Sequence, residues 1–345
     1  VPLTVVAAIG SASKFGVIIK SGAVFERFGV IRHVAVDKTG TLTRNEPAVT
    51  AVLTVDGVSE AEALAWAAAL EQHSTHPLAA AITAAAPDAP AAEGVTEQAG
   101  HGIEGELAGA RITVGSPRWL DAGTLGDRVA GLEEQGMTVV IVHRGGVPVA
   151  AIGVRDELRP EVPEVVRTLA TQGIGVTMLT GDNARTARAL AAHAGIDDVR
   201  AELRPEDKAA AIAELGAKGP VAMIGDGIND APALAAADIG IAMGLAGTDV
   251  AVETADVALA GDDLRKLLDI RDLGSHTVEV IRQNYGMSIA VNALGLVIGA
   301  GGALSPVLAA VLHNASSVAV VLNSSRLIRY QVEPAPSASA EEARA

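Results

Sequence analysis

The sequence contains no cysteine. Disulfides and thiolate metal sites within the chain are thereby excluded. Basic residues are also scarce: 26 Lys and Arg stand against 41 Asp and Glu, for a formal net charge of −15. Such a balance argues against a nucleic-acid partner. The chain opens on Val1 with no basic segment before its apolar start, and it reads as a piece of a longer protein.

Charge is missing altogether between Gln283 and Ser325. That stretch accommodates two membrane spans of roughly 20 residues each. It breaks at "GAGGALSP" (299–306), whose glycines and Pro306 suit a tight turn. A hairpin over 284–302 and 304–323 is therefore expected. Arg282 flanks one end, and Arg326 and Arg329 the other, which places both ends on the cytoplasmic side. The alternative is a buried soluble helix pair, which normally shows a polar stripe. Residues 1–20, uncharged up to Lys14, read as the end of another transmembrane helix. The tail 331–345, rich in Pro, Ala, Ser and Glu, is expected to be disordered.

What is present between these segments is an alternation of apolar strands and helices. "HVAVDKTG", "GIGVTMLTGDN", "PVAMIGDGIND" and "ADIGIAMG" each read as a buried strand running into a loop. Such runs indicate an α/β body with a parallel sheet covered on both faces, and its active groups belong at the carboxyl ends of the strands. Asp37, Thr180 with Asp182, and Asp226 with Asn229 and Asp230 all fall there. Residues 48–151 interrupt the pattern with a helical run, "SEAEALAWAAALEQHS", and short strands such as "ARITVGS", an α+β insertion.

A carboxylate at a strand tip attacks a phosphoryl group when cations offset their repulsion. Asp37 with Asp226 suits Mg²⁺, which takes one or two carboxylates with water and phosphate oxygens. Lys208, in "RPEDKAAAI", suits charge neutralisation, and the Thr180 hydroxyl suits a phosphoryl oxygen. Any one of these acids alone could be a solvated loop residue or a helix cap.

"DKTGTLT", "TGDN" and "GDGINDAPAL" resemble the haloacid dehalogenase superfamily and, within it, the P-type ATPases. The resemblance implies a haloacid-dehalogenase-like phosphorylation domain over 21–47 and 152–275 and an inserted nucleotide-binding domain over 48–151. It implies that ATP phosphorylates Asp37, with Lys208, Thr180 and Asp182 in catalytic roles. Mg²⁺ would be held by Asp37, the Thr39 carbonyl and Asp226, with Asp230 beside them. Phosphatases of the superfamily carry a second Asp two residues after the nucleophile, and here that position is Thr39. With no base there to activate water, the aspartyl phosphate should persist, as a pump requires.

"LEQHSTHPLAAAI" and "GHGIEG" in the insertion are similar to the nucleotide domain of the heavy-metal-transporting P-type ATPases. By that resemblance Glu71, His76, Gly100 and Gly102 line the adenosine end of ATP, and Thr180, Gly181, Asp182, Lys208 and Asn229 face its phosphates. Read alone, His76 could be an ordinary helix cap. Ser116 stands where that family usually has Asn, so nucleotide contact there should be weaker. The resemblance further implies an integral, multi-pass membrane protein with cytoplasmic catalytic domains, acting with an upstream actuator domain and membrane helices. Asn292, His313 and Ser317, with Asn314 and Ser316, sit in the charge-free spans as candidate ligands for a transported metal cation. Hydrogen bonding between helices is the alternative for them. "LHNASSVAVVLN" lacks the Met expected of copper pumps and the Asp expected of zinc pumps, leaving the ion open. The rival readings are a phosphatase of the superfamily and a pump for another cation such as potassium.

Overall fold

The computed structural model describes residues 2–74, 76–98, 101–226, 229–244, 253–261, 263–302 and 305–330. Gly100 and the tail 331–345 lie outside these described residues. The chain opens with α1 (Pro2–Lys14), β1 (Val17–Ile19), α2 (Ala23–Phe28) and β2 (His33–Asp37). The insertion follows, with β3 (Ala48–Thr54), α3 (Glu60–Glu71), α4 (Pro77–Ala85), β4 (Glu93–Gln98), β5 (Gly102–Leu107), β6 (Ala110–Gly115), α5 (Gly126–Glu134), β7 (Thr138–Arg144) and β8 (Val147–Arg155). The first unit then resumes with α6 (Val162–Thr171), β9 (Gly175–Leu179), α7 (Ala184–Ala194), β10 (Asp198–Arg200), α8 (Pro205–Gly216), β11 (Val221–Gly225), α9 (Ala231–Ala236), β12 (Ile239–Met243) and β13 (Val257–Leu259). Two long helices close the described chain, α10 (Lys266–Ala300) and α11 (Pro306–Ser325).

The first unit is a seven-stranded sheet in the order β1-β13-β12-β11-β2-β9-β10. All its pairings are parallel except β1 on β13. β11 and β12 are buried on both faces, as strands between two helical layers must be. Strand β2 lies between β11 and β9, with Val36 opposite Ile224 and Asp37 opposite Leu179. That register decides the site: Asp226 and Thr180 each begin one residue beyond the paired strands and flank Asp37. The insertion is a six-stranded antiparallel sheet, β3-β8-β7-β6-β5-β4. Alternation along β7 sends Val140 and Val142 towards α3 and α4, and Val139 and Ile141 towards α5.

Two expectations at the membrane end change. Residues 17–19, read as the close of a transmembrane helix, form the antiparallel edge strand β1. Gly16, with φ +75°, turns the chain out of α1 and frees "VII" to pair with β13. The first expected span, 284–302, is not a separate helix but the distal part of α10, which starts at Lys266. No proline interrupts 266–284, and the helix runs unbroken through Gly274–Ser275, so the charged half and the charge-free half form one rod. Among the described residues one helix, Pro306–Arg329, is long and apolar enough to cross a membrane by length and composition.

A buried polar cluster fastens α1, α10 and α11 where the charge-free stretch begins. Asn284 Nδ2 donates to Thr4 Oγ1 at 3.2 Å and Ser324 Oγ at 3.0 Å, and Asn284 Oδ1 accepts from Asn323 Nδ2 at 3.0 Å. Ser324 donates in turn to the Val320 carbonyl at 2.8 Å. Both amide hydrogens and the carbonyl of Asn284 are therefore used. Asn284→Ala leaves the Thr4–Ser324 contact without its third member, at a cost of about 1–3 kcal/mol. Thermal unfolding of the detergent-solubilised protein should show the loss, and an unchanged midpoint would deny the cluster a stabilising role.

Candidate active site

The loop after β2 turns tightly over Lys38–Leu42, with Thr39 extended and Gly40 at φ +71°. A Cβ on Gly40 would lie 3.0 Å from Asp226 Oδ2, so glycine serves both the turn and the approach of the Asp226 carboxylate. Arg159, buried just past β8, donates from Nε to the Thr41 carbonyl and from Nη2 to the Gly40 carbonyl, both at 3.1 Å. Thr43 donates to Asp156 Oδ2, which ties the other end of the loop to the same return segment. Sequence reading passed over Asp156 and Arg159. Their signal was "RDELRP", a charged cluster placed where the chain re-enters the first sheet.

Asp37, 5% exposed, receives Lys208 Nζ on Oδ1 at 2.6 Å. The same ammonium donates to Asp230 Oδ1 at 2.7 Å, and Asp230 is 1% exposed. Asp230, expected beside the metal, thus anchors Lys208. Lys38 Nζ meets Asp182 Oδ2 at 2.6 Å. The Asp182 amide donates to Thr180 Oγ1 at 3.1 Å, which folds the "TGDN" loop on itself. Asn229 stands exposed in the turn before α9.

Burial and then the Asp230 carboxylate push the Asp37 carboxyl up to about 6, against the pull of Lys208 and Lys38. Burial also raises Asp230, with Lys208 opposing. Burial alone would lower both lysines. Asp37 and Asp230 outweigh it at Lys208, and Asp182 does so at Lys38, so each is held above its ordinary value.

The donor set suits a hard divalent cation. Asp37 and Asp226 supply carboxylate oxygens at adjacent strand tips, and the chain offers no thiolate. Four acids here, Asp37, Asp182, Asp226 and Asp230, face two ammoniums, Lys38 and Lys208. The Thr41 hydroxyl is buried without a hydrogen-bond partner within the same loop.

In the insertion, Glu71 closes α3 and is 8% exposed. Burial, and then the charge of Glu97, raise its carboxyl to about 7. His76 is the N-cap of α4: its Nδ1 accepts from the Leu78 amide at 3.2 Å and so carries no proton. The fields of Glu97, Asp182 and Lys38 all reach it, which sets this edge of the insertion towards the phosphorylation loop. Gly102 has a reason of its own. A Cβ there would lie 2.1 Å from the Val114 carbonyl and 2.9 Å from the Trp119 ring, so strand packing demands glycine. The Ser116 amide donates to the His101 carbonyl at 3.0 Å. In the helical pair, Asn292, His313 and Ser317 do converge. With Pro2, Leu3 and Ser288 they line a cavity of about 560 Å³.

Comparison with known proteins agrees with this geometry. A family model for haloacid dehalogenase-like hydrolases matches residues 31–238. The chain is 51% identical over 345 residues to the zinc-exporting P-type ATPase of Mycobacterium marinum, a match covering 96% of this chain and 47% of that protein. It is 52% identical over 345 residues to the manganese-exporting P-type ATPase of Mycobacterium tuberculosis, covering 96% and 48%. The chain thus spans about half the length of the curated relatives it matches. A crystal structure of a zinc-transporting PIB-type ATPase in the E2·Pi state superposes with a TM-score of 0.76 at 40% identity, over 95% of this chain and 55% of that one. The catalytic domain of the CPx-ATPase CopB-B superposes with a TM-score of 0.61 at 30% identity, over 75% and 96%. The chain belongs to the haloacid dehalogenase-like hydrolases and, among them, to the heavy-metal class of P-type ATPases.

Were Asp37 the phosphoryl acceptor that the sequence resemblance implies, it would have to be ionised to attack, and initial phosphorylation rates should then fall about tenfold per pH unit below about pH 6. Asp230→Asn removes a neighbouring negative charge and leaves Lys208 to Asp37 alone; both changes lower the Asp37 pKa. The acid limb should then move to lower pH, and a limb that stays or rises contradicts this account of the site.

Proposed function

We propose that this chain carries the ATP-binding and self-phosphorylating part of a membrane pump for a metal cation. The observation that carries the reading is the Asp37–Lys208–Asp230 bridge at the central strand tip, with Lys38 and Thr39 next in the chain. Lys208 occupies Oδ1 of Asp37, so attack falls to Oδ2. That oxygen forms the new bond to the γ-phosphorus of ATP as the bond to the ADP oxygen breaks. Lys208 offsets charge on the transferring group, and the Thr180 hydroxyl steadies a phosphoryl oxygen. Asp37, Asp226 and the Thr39 carbonyl would hold Mg²⁺, which would supply the remaining charge neutralisation. Thr39 offers no carboxylate to activate water, so the aspartyl phosphate outlives its formation. Glu71, His76 and Gly102 form the adenosine side of the site.

The charge-free ends of α10 and α11, flanked by Arg282, Arg326 and Arg329, support a membrane-spanning hairpin with the catalytic body on the cytoplasmic side, in a multi-pass protein whose other helices and actuator domain would complete the cycle. The cavity between them presents imidazole, amide and hydroxyl groups, which suit a borderline or harder divalent cation. The curated relatives' names specify zinc and manganese.

Incubation with γ-labelled ATP should give an acid-stable, hydroxylamine-sensitive phosphoprotein that Asp37→Asn abolishes while nucleotide binding persists. Free phosphate without phosphoprotein would make the chain a phosphatase instead. Lys208→Ala should slow phosphoenzyme formation about 100-fold or more. A normal rate in that variant removes Lys208 from the transfer step.

A further inference from the structure

Four contacts join the insertion to the segment 181–186, apart from the two strand connections. Arg118 Nη2 donates to the Gly181 carbonyl at 3.3 Å. Asn183 Nδ2 donates to Glu133 Oε1 at 2.9 Å, and Arg185 Nη1 stands 3.4 Å from Glu133 Oε2. Thr186 Oγ1 donates to the Met137 carbonyl at 2.8 Å, fully buried. Glu133 is 7% exposed, and both its oxygens are met from across the interface. Burial raises its carboxyl above the ordinary range, and Arg185 acts against that shift.

Asn183 serves both sides at once. Its Oδ1 caps α7 by accepting from the Arg185 and Thr186 amides at 3.0 Å each. This fixes the amide orientation, because a flipped group would set its NH₂ against two N–H donors. The Nδ2 is thereby aimed at Glu133. Immediately before the cap lie Thr180 and Asp182, and Asp182 holds Lys38 beside the nucleophile. If the insertion swung away, the α7 cap would survive while Glu133 lost its partners. The contact therefore favours one arrangement of the two units without being needed to fold either.

We propose that Glu133 is a positioning residue for phosphoryl transfer: through Asn183 and Arg185 it braces the insertion against the Thr180–Asn183 loop, so that a nucleotide held by the insertion meets Asp37 in register. The role in transfer rests on the function proposed above, whereas the brace itself does not.

The absence of cysteine permits a direct test. Spin labels are placed at Ala85→Cys, near the end of α4, and Ala217→Cys, after α8, both exposed positions. The otherwise unaltered chain should give one narrow interlabel distance distribution, and Glu133→Ala a broad or shifted one. Glu133→Gln, which still accepts from Asn183, should fall between. Glu133→Lys with Arg185→Glu restores opposite charges but sets an ammonium against the Asn183 Nδ2 donor, so it should recover the narrow distribution only in part. In the membrane-bound protein, Glu133→Ala should raise the ATP concentration for half-maximal phosphorylation about tenfold. Its maximal level, and phosphorylation by inorganic phosphate, should hold. An unchanged distance distribution in Glu133→Ala overturns the brace whatever the activity. Equal loss with ATP and with inorganic phosphate overturns it too, since Glu133 would then serve the catalytic loop's own fold. A distribution that broadens as expected, in a protein forming no phosphoenzyme even unaltered, upholds the brace and overturns the proposed function.

Discussion

One buried ammonium organises this protein. Lys208 joins Asp37 from the end of β2 to Asp230 at the start of α9, and it comes itself from the first turns of α8. Three segments far apart in sequence meet at a point that water scarcely reaches. Burying such charges is costly unless each is paired, and removing one member strands the others. The bridge therefore fixes the starts of two helices against the tip of the central strand. Leu179, Ile212, Leu215, Met223 and Leu234 pack beneath it.

The same bridge sets the chemical character of the site. Burial, and then the Asp230 carboxylate, hold the Asp37 carboxyl above its ordinary value, while the Lys208 and Lys38 ammoniums pull it back down. Beside it Lys38 is committed to Asp182 rather than left to solvent. The second position of the loop, where a hydrolase would keep an acid, is Thr39. Under the function proposed above, formation and breakdown of the acyl phosphate would be separated: the groups for the first lie at the tip of β2, and the means for the second would come from elsewhere.

The parallel sheet was legible because its strands are uninterrupted apolar runs, each ending in an acid or hydroxyl. "HVAVD" and "VAMIGD" mark both the strands and their reactive ends. β1 was not legible, since three residues following a helix carry no periodicity and their pairing depends on β13, far along the chain. Lys208 meets Asp37, and Thr180 and Asp226 fall just past the strands on either side of it, where the motifs pointed, but the contact of Asp230 with Lys208 was not legible, because a motif gives residue types and not the partner each side chain chooses. Arg159 and Glu133 escaped for a related reason: their partners are backbone carbonyls or residues on another sheet, and no local pattern points to either. His76 illustrates the reverse. Its capping bond could be read from its place before Pro77, and the structure adds only that the field of the phosphorylation loop reaches it.

The continuity of α10 has a mechanical consequence. At 1.5 Å per residue, its 35 residues make a rod about 50 Å long. Its first turns are built into the core of the parallel-sheet unit through Leu267, Ile270 and Leu273, and its far end lines the polar cavity. A tilt of about 5° at the base swings the far end by about 4 Å, close to one helical turn. Such a helix works as a lever. A tilt too small to disturb the packing of Leu267, Ile270 and Leu273 becomes at the other end a displacement large enough to reshape the cavity lined by Asn292, His313 and Ser317.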